Sequence, residues 1–289
     1  MARPTILVTG AQGQLGFELA RLLPAHGEVT ALDRAQLDLG DPAAIRNVLR
    51  ALRPQLIVNA AAYTAVDQAE REPEAAEAIN ARAPAVLAEE AERLGALLIH
   101  YSTDYVFDGA ASTPYDEDAS PNPVNAYGRS KWLGEQAVIA SGAPSLVLRT
   151  SWVYGLRGRN FLLAIRRLAA QNEELRIVAD QFGIPNWSHA IAEATSKLVG
   201  LGLPALVDRA GVYHVCARGS ASWFEFARAI VGPAAKPRVV PIKTSEYPTL
   251  ARRPAYVVLA TEKLERVFGL SLAHWRETLA QCLASEGLG

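Results

Sequence analysis

Short apolar runs alternate along the first half of the chain with longer stretches of helical character. The runs fall at residues 5–9, 29–32, 56–59, 97–101 and 146–149. A short apolar run without polar alternation is typical of a parallel strand that is buried on both faces. The pattern therefore predicts a βαβα arrangement, which right-handed crossovers wind into a doubly wound parallel sheet.

Beyond the fifth run the alternation weakens, and aromatic and Pro residues become more frequent. Helix-like segments remain at 188–199, 222–231 and 273–284. We therefore expect an α/β fold with a Rossmann-type, dinucleotide-binding domain in residues 1–150. Residues 151–289 are expected to form mainly a smaller C-terminal substrate-binding lobe, interleaved with the first domain.

Two segments between the runs have distinct compositions. Residues 65–94 are rich in Ala, Glu and Arg and predict a solvated covering helix, with Pro73 and Pro84 at helix starts or breaks. Residues 109–125 contain several Pro and Asn and predict an ordered loop near the site.

A glycine-rich turn follows the first apolar run directly, with the sequence Thr9-Gly10-Ala11-Gln12-Gly13-Gln14-Leu15-Gly16. Gly10 permits a tight turn, Gly13 lets the backbone approach a pyrophosphate, and Gly16 lets the next helix pack close to the strand. The N–H groups at the start of that helix attract phosphate. Asp33 lies 17 residues after Gly16, at the end of the second run, where a carboxylate can accept hydrogen bonds from a ribose diol. These features predict an adenine dinucleotide site.

The residues around Asp33 leave the choice of dinucleotide open. Asp33 would repel a 2′-phosphate and favours NADH, whereas Arg34 beside it could offset that charge and admit NADPH. Asp38 and Leu39 are equally compatible with a position beside the adenine and with an ordinary surface loop.

A second motif, Tyr127-Gly128-Arg129-Ser130-Lys131, places a phenol and an ammonium group on one helix face. We expect Lys131 to lower the pKa of Tyr127 and prepare it as a general acid or base. The cluster Ser102-Thr103-Asp104 follows the fourth run and supplies a hydroxyl that can polarise a carbonyl. Together they predict redox chemistry on a ketone or an alcohol.

Further side chains near the predicted strand ends suit a substrate. Tyr105, Phe107 and Trp152 could form a wall for a sugar or a base, although aromatic residues also fill ordinary cores. Arg252 and Arg253 could clamp a phosphate, and the alternative is a surface loop pair.

Composition excludes several classes of protein. The formal net charge of −1, from 29 basic and 30 acidic residues, offers no case for nucleic-acid or anionic-membrane binding. No stretch approaches the ~20 apolar residues that cross a bilayer. Cys216 and Cys282 match neither a disulfide framework nor a metal motif, so we expect buried thiols and a reducing cytoplasm.

The five histidines form no metal-ligand grouping, and no metal ligand is assigned. His100 and His214 lie in strand-like apolar contexts and are expected to be hydrogen-bonded core residues without a chemical role. The chain contains no Gly-x-Ser-x-Gly turn, which argues against a serine hydrolase.

The chain resembles the extended short-chain dehydrogenases/reductases, and within them the dTDP-4-dehydrorhamnose reductase family. The resemblance spans nearly the whole sequence. It rests on the two motifs above and on four further segments: Asn59-Ala60-Ala61-Ala62-Tyr63-Thr64-Ala65-Val66-Asp67, Tyr101-Ser102-Thr103-Asp104-Tyr105-Val106-Phe107, Arg149-Thr150-Ser151-Trp152-Val153-Tyr154 and Asp180-Gln181-Phe182-Gly183-Ile184-Pro185.

The resemblance implies a reductase that uses NADPH or NADH to reduce the C4 ketone of a dTDP-linked 4-keto-6-deoxyhexose, and it is consistent with a homodimer. It implies Thr103, Tyr127 and Lys131 as the catalytic trio. The candidate cofactor contacts are Gly10, Gln12, Gly13, Gln14, Leu15, Gly16, Asp33, Asp38, Leu39, Ala62, Tyr63 and Thr64. With the residues already considered, the candidate substrate contacts are Val66, Thr103, Asp104, Tyr105, Trp152 and Arg253. Two departures concern substrate positioning, because Asn186 and Val257 stand where the family usually carries hydroxyl side chains.

Two other readings remain. A nucleotide-sugar epimerase or dehydratase of the same superfamily would recycle a tightly bound nicotinamide, and an acidic residue directly after the catalytic threonine, here Asp104, keeps that reading open. A regulatory subunit that binds a dinucleotide without catalysis has no need for Thr103, Tyr127 and Lys131.

Overall fold

The computed structural model describes residues 3–233 and 237–285. A six-stranded sheet, in which every pairing is parallel, forms its centre. The described strands are β1 (Thr5–Thr9), β2 (Glu28–Leu32), β3 (Leu56–Asn59), β4 (Leu97–Thr103), β5 (Ser145–Thr150), β6 (Val153–Tyr154), β7 (Glu174–Val178), β8 (Phe182–Gly183), β9 (Asn186–Trp187), β10 (Gly211–His214), β11 (Ala221–Ser222) and β12 (Arg238–Ile242).

Helices connect these strands and cover both faces of the sheet. The described α-helices are α1 (Gln14–Leu22), α2 (Pro42–Leu52), α3 (Val66–Arg71), α4 (Pro73–Glu77), α5 (Ala83–Leu94), α6 (Ala126–Ala140), α7 (Phe161–Gln171), α8 (Ser188–Gly200), α9 (Leu203–Val207), α10 (Trp223–Val231), α11 (Glu262–Phe268) and α12 (Trp275–Ala284). Short 3₁₀ turns lie at Leu23–Ala25, Asp104–Val106 and Thr244–Glu246, and a π-helical turn lies at Ala78–Arg82. No helix within the described residues combines the length and the apolar character that crossing a membrane requires.

The strand order of the central sheet is β2-β1-β3-β4-β5-β10. All five predicted strands are confirmed, with bounds that agree within two residues, and the α/β doubly wound fold is confirmed with them. The sixth strand, β10, comes from the second half of the chain and pairs parallel with β5. Its four residues stand too far from the alternating region for the periodicity to mark them as part of this sheet.

The second half of the chain contributes to the central sheet and its core as well as to the C-terminal lobe. Helix α8 packs against α1, and Ile191 and Leu198 from α8 join the core that covers β1 and β4. The boundary proposed at residue 150 stays a prediction. Although β10 and α8 come after it in sequence, β10 pairs with β5 in the central sheet and α8 packs in the core of that sheet.

The remaining strands pair in short ladders that frame a second core. Strands β7 and β12 pair parallel, β8 and β11 antiparallel, and β6 and β9 parallel. Phe107, Tyr154, Phe226 and Trp275 are fully or almost fully buried in this second core. The aromatic content noted in the sequence therefore fills the C-terminal lobe, and Phe107, considered there as a possible wall residue, is core filling stacked on Tyr115 at 4.2 Å.

The segment at residues 65–94 is helical, as predicted, and Pro73 begins α4. It is not a single solvated helix, because α5 buries Val86 and Leu87 completely or nearly so, and the π-helical turn interrupts it at Ala78–Arg82. A π-helical turn inside a helical stretch often accompanies a functional residue, and this one carries the buried side chain of Asn80.

Candidate active site

The glycine turn is shaped by contacts that side chains would prevent. Gly10 has a φ of +71°, and a Cβ on Gly16 would lie 2.1 Å from the Gly10 carbonyl oxygen. Gly13 donates its N–H to the same oxygen at 2.8 Å. Within the described chain no side chain caps the start of α1, so its first N–H groups are available to an anion. This geometry fits the pyrophosphate of a dinucleotide.

The carboxylate of Asp33 lies beside the glycine turn. Its Oδ2 accepts a hydrogen bond from Gln12 Nε2 at 2.5 Å, and its Oδ1 accepts from the N–H groups of Ala35 and Gln36. The structure therefore brings together two predicted cofactor contacts from different loops. Arg34 is exposed next to them, as a selector for a 2′-phosphate would be.

Other predicted cofactor contacts have side chains engaged elsewhere. Gln14 Oε1 accepts a hydrogen bond from Asn160 Nδ2 at 2.8 Å, and the Leu15 and Leu39 side chains are buried in the core. Asp38 is exposed, and its carboxylate accepts from a backbone N–H two residues later. Gln14, Leu15 and Leu39 can therefore meet a cofactor mainly through their backbones.

Ala62, Tyr63 and Thr64 follow β3 and are held by a residue that sequence reasoning did not identify. Asn80 Oδ1 accepts from Tyr63 N at 2.8 Å, and Asn80 Nδ2 donates to the Tyr63 carbonyl oxygen and to Ser130 Oγ. One buried amide thus connects the predicted cofactor loop to the helix of the Tyr-x-x-x-Lys motif. Its only sequence signal is an Asn inside a stretch of helix formers.

Helix α6 begins where the site needs its first turn. Asn125 caps it, because its Oδ1 accepts from Gly128 N at 2.8 Å. A Cβ on Gly128 would lie 2.2 Å from the Tyr105 carbonyl oxygen, so this glycine lets the helix approach the end of β4. The close approach places Tyr127 beside the polar cluster that follows β4.

The structure brings Tyr127 and Thr103 together in one cavity. The Tyr105 ring packs edge-on against that of Tyr127 with centroids 5.8 Å apart. Burial raises the pKa of Tyr127 above its ordinary value, and Asp104 adds to the rise, while the hydroxyl group of Thr103 opposes it. The expectation that Lys131 lowers this pKa is therefore wrong for the net direction, because desolvation is the largest effect.

Lys131 is 2% exposed. Its ammonium group donates to the Tyr101 carbonyl oxygen at 2.6 Å and lies 3.4 Å from His100 Nε2. Burial lowers the pKa of Lys131 to about 8, and the carboxylate of Glu135 opposes that effect. The side chain thus points inward toward β4.

Asp104 is buried at the edge of the same cavity. Its Oδ1 accepts from Thr103 Oγ1 at 3.0 Å, and its Oδ2 accepts from Ser151 Oγ at 2.7 Å. Burial raises the pKa of Asp104 to about 7, against the opposing hydrogen bonds from Ser151 and Thr103. The group can therefore exist as acid or carboxylate near neutral pH.

The cavity has a volume of about 590 Å³, within the range of small-molecule sites. Predicted substrate contacts Val66, Tyr105 and Trp152 line it beside Tyr127. The cavity is also lined by residues of α7, of β7 and of the chain around Tyr247: Phe161, Ala164, Ile165, Leu168, Arg176, Ile177, Val178 and Tyr247. Most of these side chains are apolar or aromatic.

Trp152 is one of two non-glycine residues with positive φ in the described chain, at 39°. Its ring stacks on Trp223 with centroids 3.4 Å apart and planes within 5°, and a Cβ on Gly183 would lie 2.5 Å from it. An uncommon backbone conformation held between two packing partners is typical of a functional wall. Neither Trp223 nor Gly183 was identified in the sequence as a site residue.

Of the predicted arginine pair, Arg253 lines the cavity, where Asp67 pairs with it at 2.7 Å. Arg252 is exposed, and its carbonyl oxygen accepts from the Asn125 amide. The two departures from the family pattern are buried outside the lining of this cavity as far as the described residues show: Asn186 donates to the Ser151 carbonyl oxygen, and Val257 packs in the interior. Any effect of Asn186 and Val257 on the substrate is therefore indirect, through the residues that line the cavity.

The remaining polar residues have structural surroundings. Cys216 and Cys282 are buried thiols outside any disulfide, as predicted. His100 and His214 are completely buried and hydrogen-bonded. Across residues 3–233 and 237–285, no three His, Cys, Asp or Glu side chains are grouped to hold a metal ion.

Comparison with known proteins gives a consistent family. The family model for the RmlD substrate binding domain matches residues 4–287. A dTDP-4-dehydrorhamnose reductase of Burkholderia thailandensis is 48% identical, covering 96% of this chain and 97% of its own. The Escherichia coli dTDP-4-dehydrorhamnose reductase is 41% identical over 94% of both chains. The chain belongs to this family.

Solved structures agree with the assignment. The crystal structure of a dTDP-4-dehydrorhamnose reductase from Bacillus anthracis in complex with NADP superimposes with a TM-score of 0.91, at 37% identity and covering 99% of this chain and 100% of that one. The family therefore accounts for the whole described fold, including β10 and the C-terminal lobe.

Proposed function

We propose that this protein is a dTDP-4-dehydrorhamnose reductase, which reduces the C4 ketone of dTDP-4-dehydro-L-rhamnose to dTDP-L-rhamnose in nucleotide-sugar biosynthesis. The observation that carries the proposal is that Tyr127 and Thr103 line the same cavity of about 590 Å³, with Lys131 buried on the helix of Tyr127. The family membership and the full-length match to reductases support it.

The glycine turn, Asp33 and the segment from Ala62 to Thr64 would hold the dinucleotide, NADPH or NADH. When bound, the reduced nicotinamide supplies a hydride to the C4 carbon. Tyr127 donates its phenolic proton to the oxygen that becomes the alcohol, and Thr103 holds that oxygen. The raised pKa of Tyr127 keeps it protonated and ready to donate. Lys131 would bind the cofactor ribose and balance the charge of the phenolate that remains.

The cavity walls suggest how the substrate lies. Trp152 and Tyr105 would enclose the deoxysugar, because flat aromatic surfaces pack on sugar rings. Arg253 would hold the diphosphate through charge-assisted hydrogen bonds. The dTDP base would then lie beside other lining residues of the cavity, such as Leu168 and Tyr247.

The test is direct reduction of the proposed substrate. Purified protein is incubated with dTDP-4-keto-6-deoxyglucose, the matching 3,5-epimerase and either NADPH or NADH, and the loss of nicotinamide absorbance is followed with product identification. Stoichiometric cofactor consumption with formation of dTDP-L-rhamnose is the expected result. No consumption with either cofactor would contradict the proposal.

Replacement of Tyr127 by Phe tests the acid role. We expect turnover to fall about 10²- to 10⁴-fold, with NADPH affinity close to that of the unmodified protein. Tyr213→Phe is the matched control, because this phenol donates to the Arg209 carbonyl oxygen away from the cavity. Unchanged turnover in Tyr127→Phe would remove the phenol from the mechanism.

One observation favours a second candidate, a dehydratase of the same superfamily. Asp104 has a pKa of about 7 and touches Thr103, so it could act as an acid. Such an enzyme would copurify with NAD and release water without net consumption of NADPH. The reductase assay above separates these outcomes.

The proposal includes a cytoplasmic location and a homodimer. A reducing compartment is consistent with two buried cysteines that form no disulfide. Sedimentation of the purified protein tests the dimer, and fractionation of the source cells tests the location.

A further inference from the structure

The Lys131 ammonium group is surrounded by the interior of the protein. It donates to the Tyr101 carbonyl oxygen at 2.6 Å, and His100 Nε2 lies 3.4 Å away. An ammonium group has three N–H donors and no acceptor. Among the described residues these two contacts occupy two donors, so one N–H remains for a cofactor hydroxyl.

His100 continues the contact into the sheet. Its Nδ1 lies 3.0 Å from the side-chain amide of Asn59, which is hydrogen-bonded to Thr9 Oγ1 at 2.7 Å. These three side chains are almost completely buried and lie on neighbouring strands, β1, β3 and β4. A chain of hydrogen bonds therefore runs from Thr9 through Asn59 and His100 to the Lys131 ammonium group.

The protonation state of Lys131 decides which group donates and which accepts in each of these hydrogen bonds. The ammonium form donates only, so His100 Nε2 must accept and the ring proton must lie on Nδ1. The Asn59 amide stands with Nδ2 toward the ring, which is the arrangement for a ring proton on Nε2. A half-turn of the amide exchanges its oxygen and nitrogen and gives Nδ1–H an acceptor in nearly the same position.

We propose that His100 is a positioning residue of the reductase, which accepts a hydrogen bond from the Lys131 ammonium group and so holds that group charged and directed at the cofactor. The inference rests on the proposed function, because it gives Lys131 the cofactor ribose as its third partner. It assigns a role to a histidine that the sequence indicated only as core.

The charges around Lys131 are consistent with this role. Glu135 lies on the same helix and is paired at 2.7 Å with Arg149 on β5, and Tyr127 stands about one turn earlier on that helix. Burial and the Lys131 charge keep the pKa of His100 well below its ordinary value, so the ring is neutral and able to accept. With Glu135 already committed to Arg149, the neutral ring is the polar side chain in contact with the ammonium group.

Two polar substitutions separate positioning from packing. In His100→Gln the amide oxygen can reach the Lys131 ammonium group, whereas in His100→Asn the shorter amide reaches only Asn59. His214→Asn is the control for loss of a buried histidine in the same sheet, because His214 contacts the Ala260 carbonyl oxygen instead. NADPH affinity and kcat are measured against pH for each protein.

We expect affinity and kcat to decline with rising pH as Lys131 loses its proton, near pH 8 in the unmodified protein. His100→Asn should move this decline down by about one pH unit, because the charged form loses a hydrogen bond. His100→Gln should restore it, and His214→Asn should leave it in place.

The inference would be overturned if NADPH affinity and kcat declined at the same pH in His100→Asn as in the unmodified protein. It would also be overturned if the decline moved to another pH in His214→Asn. The NADPH titration needs no sugar substrate. It therefore tests His100 even where the protein fails to reduce the dTDP sugar, which would refute the proposed function alone.

Discussion

Replacing Asp104 by Asn should stabilise the protein, and increasingly so as the pH rises. The carboxyl group is 2% exposed and its two oxygens accept from Thr103 and Ser151. An amide has nearly the same shape, and both hydroxyl groups can donate to its oxygen or accept from its nitrogen. The substitution therefore removes a buried charge while keeping the packing.

The magnitude follows from the pKa of Asp104, which burial raises from 3.8 to about 7. The folded protein thus holds a proton that the unfolded chain has released, so stability falls as pH rises through this interval. About three pKa units at 1.36 kcal/mol each give a full cost of ~4 kcal/mol at high pH. Between about pH 5 and pH 8 the cost grows by ~3 kcal/mol.

Urea unfolding of both proteins at about pH 5 and pH 8 measures the effect. Asp104→Asn should have the higher unfolding free energy. Its advantage over the unmodified protein should be ~3 kcal/mol larger at about pH 8 than at about pH 5. Asp108→Asn is the control: hydrogen bonds lower the pKa of that carboxyl group, so its titration lies below this range and its difference should stay constant. A constant difference for Asp104→Asn would refute the reasoning.

Three further substitutions test other parts of the structure. Gly16→Ala places a Cβ 2.1 Å from a carbonyl oxygen of the glycine turn, and fluorescence titration should show NADPH affinity reduced by about tenfold or more. The side chains of Arg149 and Glu135 are only 3% and 0% exposed. Glu135→Gln therefore leaves Arg149 buried without its charge partner, and urea unfolding should show an unfolding free energy lower by ~3–5 kcal/mol. Gly183→Ala places a Cβ 2.5 Å from the Trp152 ring, so steady-state kinetics should show a raised KM for the sugar nucleotide with a smaller change in kcat.

The fold could be predicted where hydrophobic pattern and chain order coincide. Strands buried on both faces, such as β1 and β3, are uninterrupted apolar runs and were found with their bounds. Strand β10 could not be found in this way, because its sequence Gly-Val-Tyr-His contains two polar or small positions and its partner β5 lies 61 residues earlier. Long-range pairing is a property of tertiary packing.

The candidate site could be predicted where a motif marks it. Tyr127 and Thr103 come from separate motifs, and the structure brings them into one cavity because Gly128 lets α6 approach the end of β4. Trp223 and Asn80 could not be predicted, since each acts by contacting a residue distant in the sequence. Their roles exist only in the folded chain.

The pKa of Tyr127 shows why spacing alone gives the wrong sign. A separation of four residues places Lys131 on the same helix face as Tyr127. A lysine side chain is a flexible four-carbon chain, however, and the position of its ammonium group depends on where the hydrogen-bond acceptors lie. Here those acceptors are the Tyr101 carbonyl oxygen and His100 on β4. The charge is therefore held against the sheet, burial decides the pKa of the phenol, and Tyr127 remains a protonated donor throughout the range in which Lys131 and Asp104 titrate.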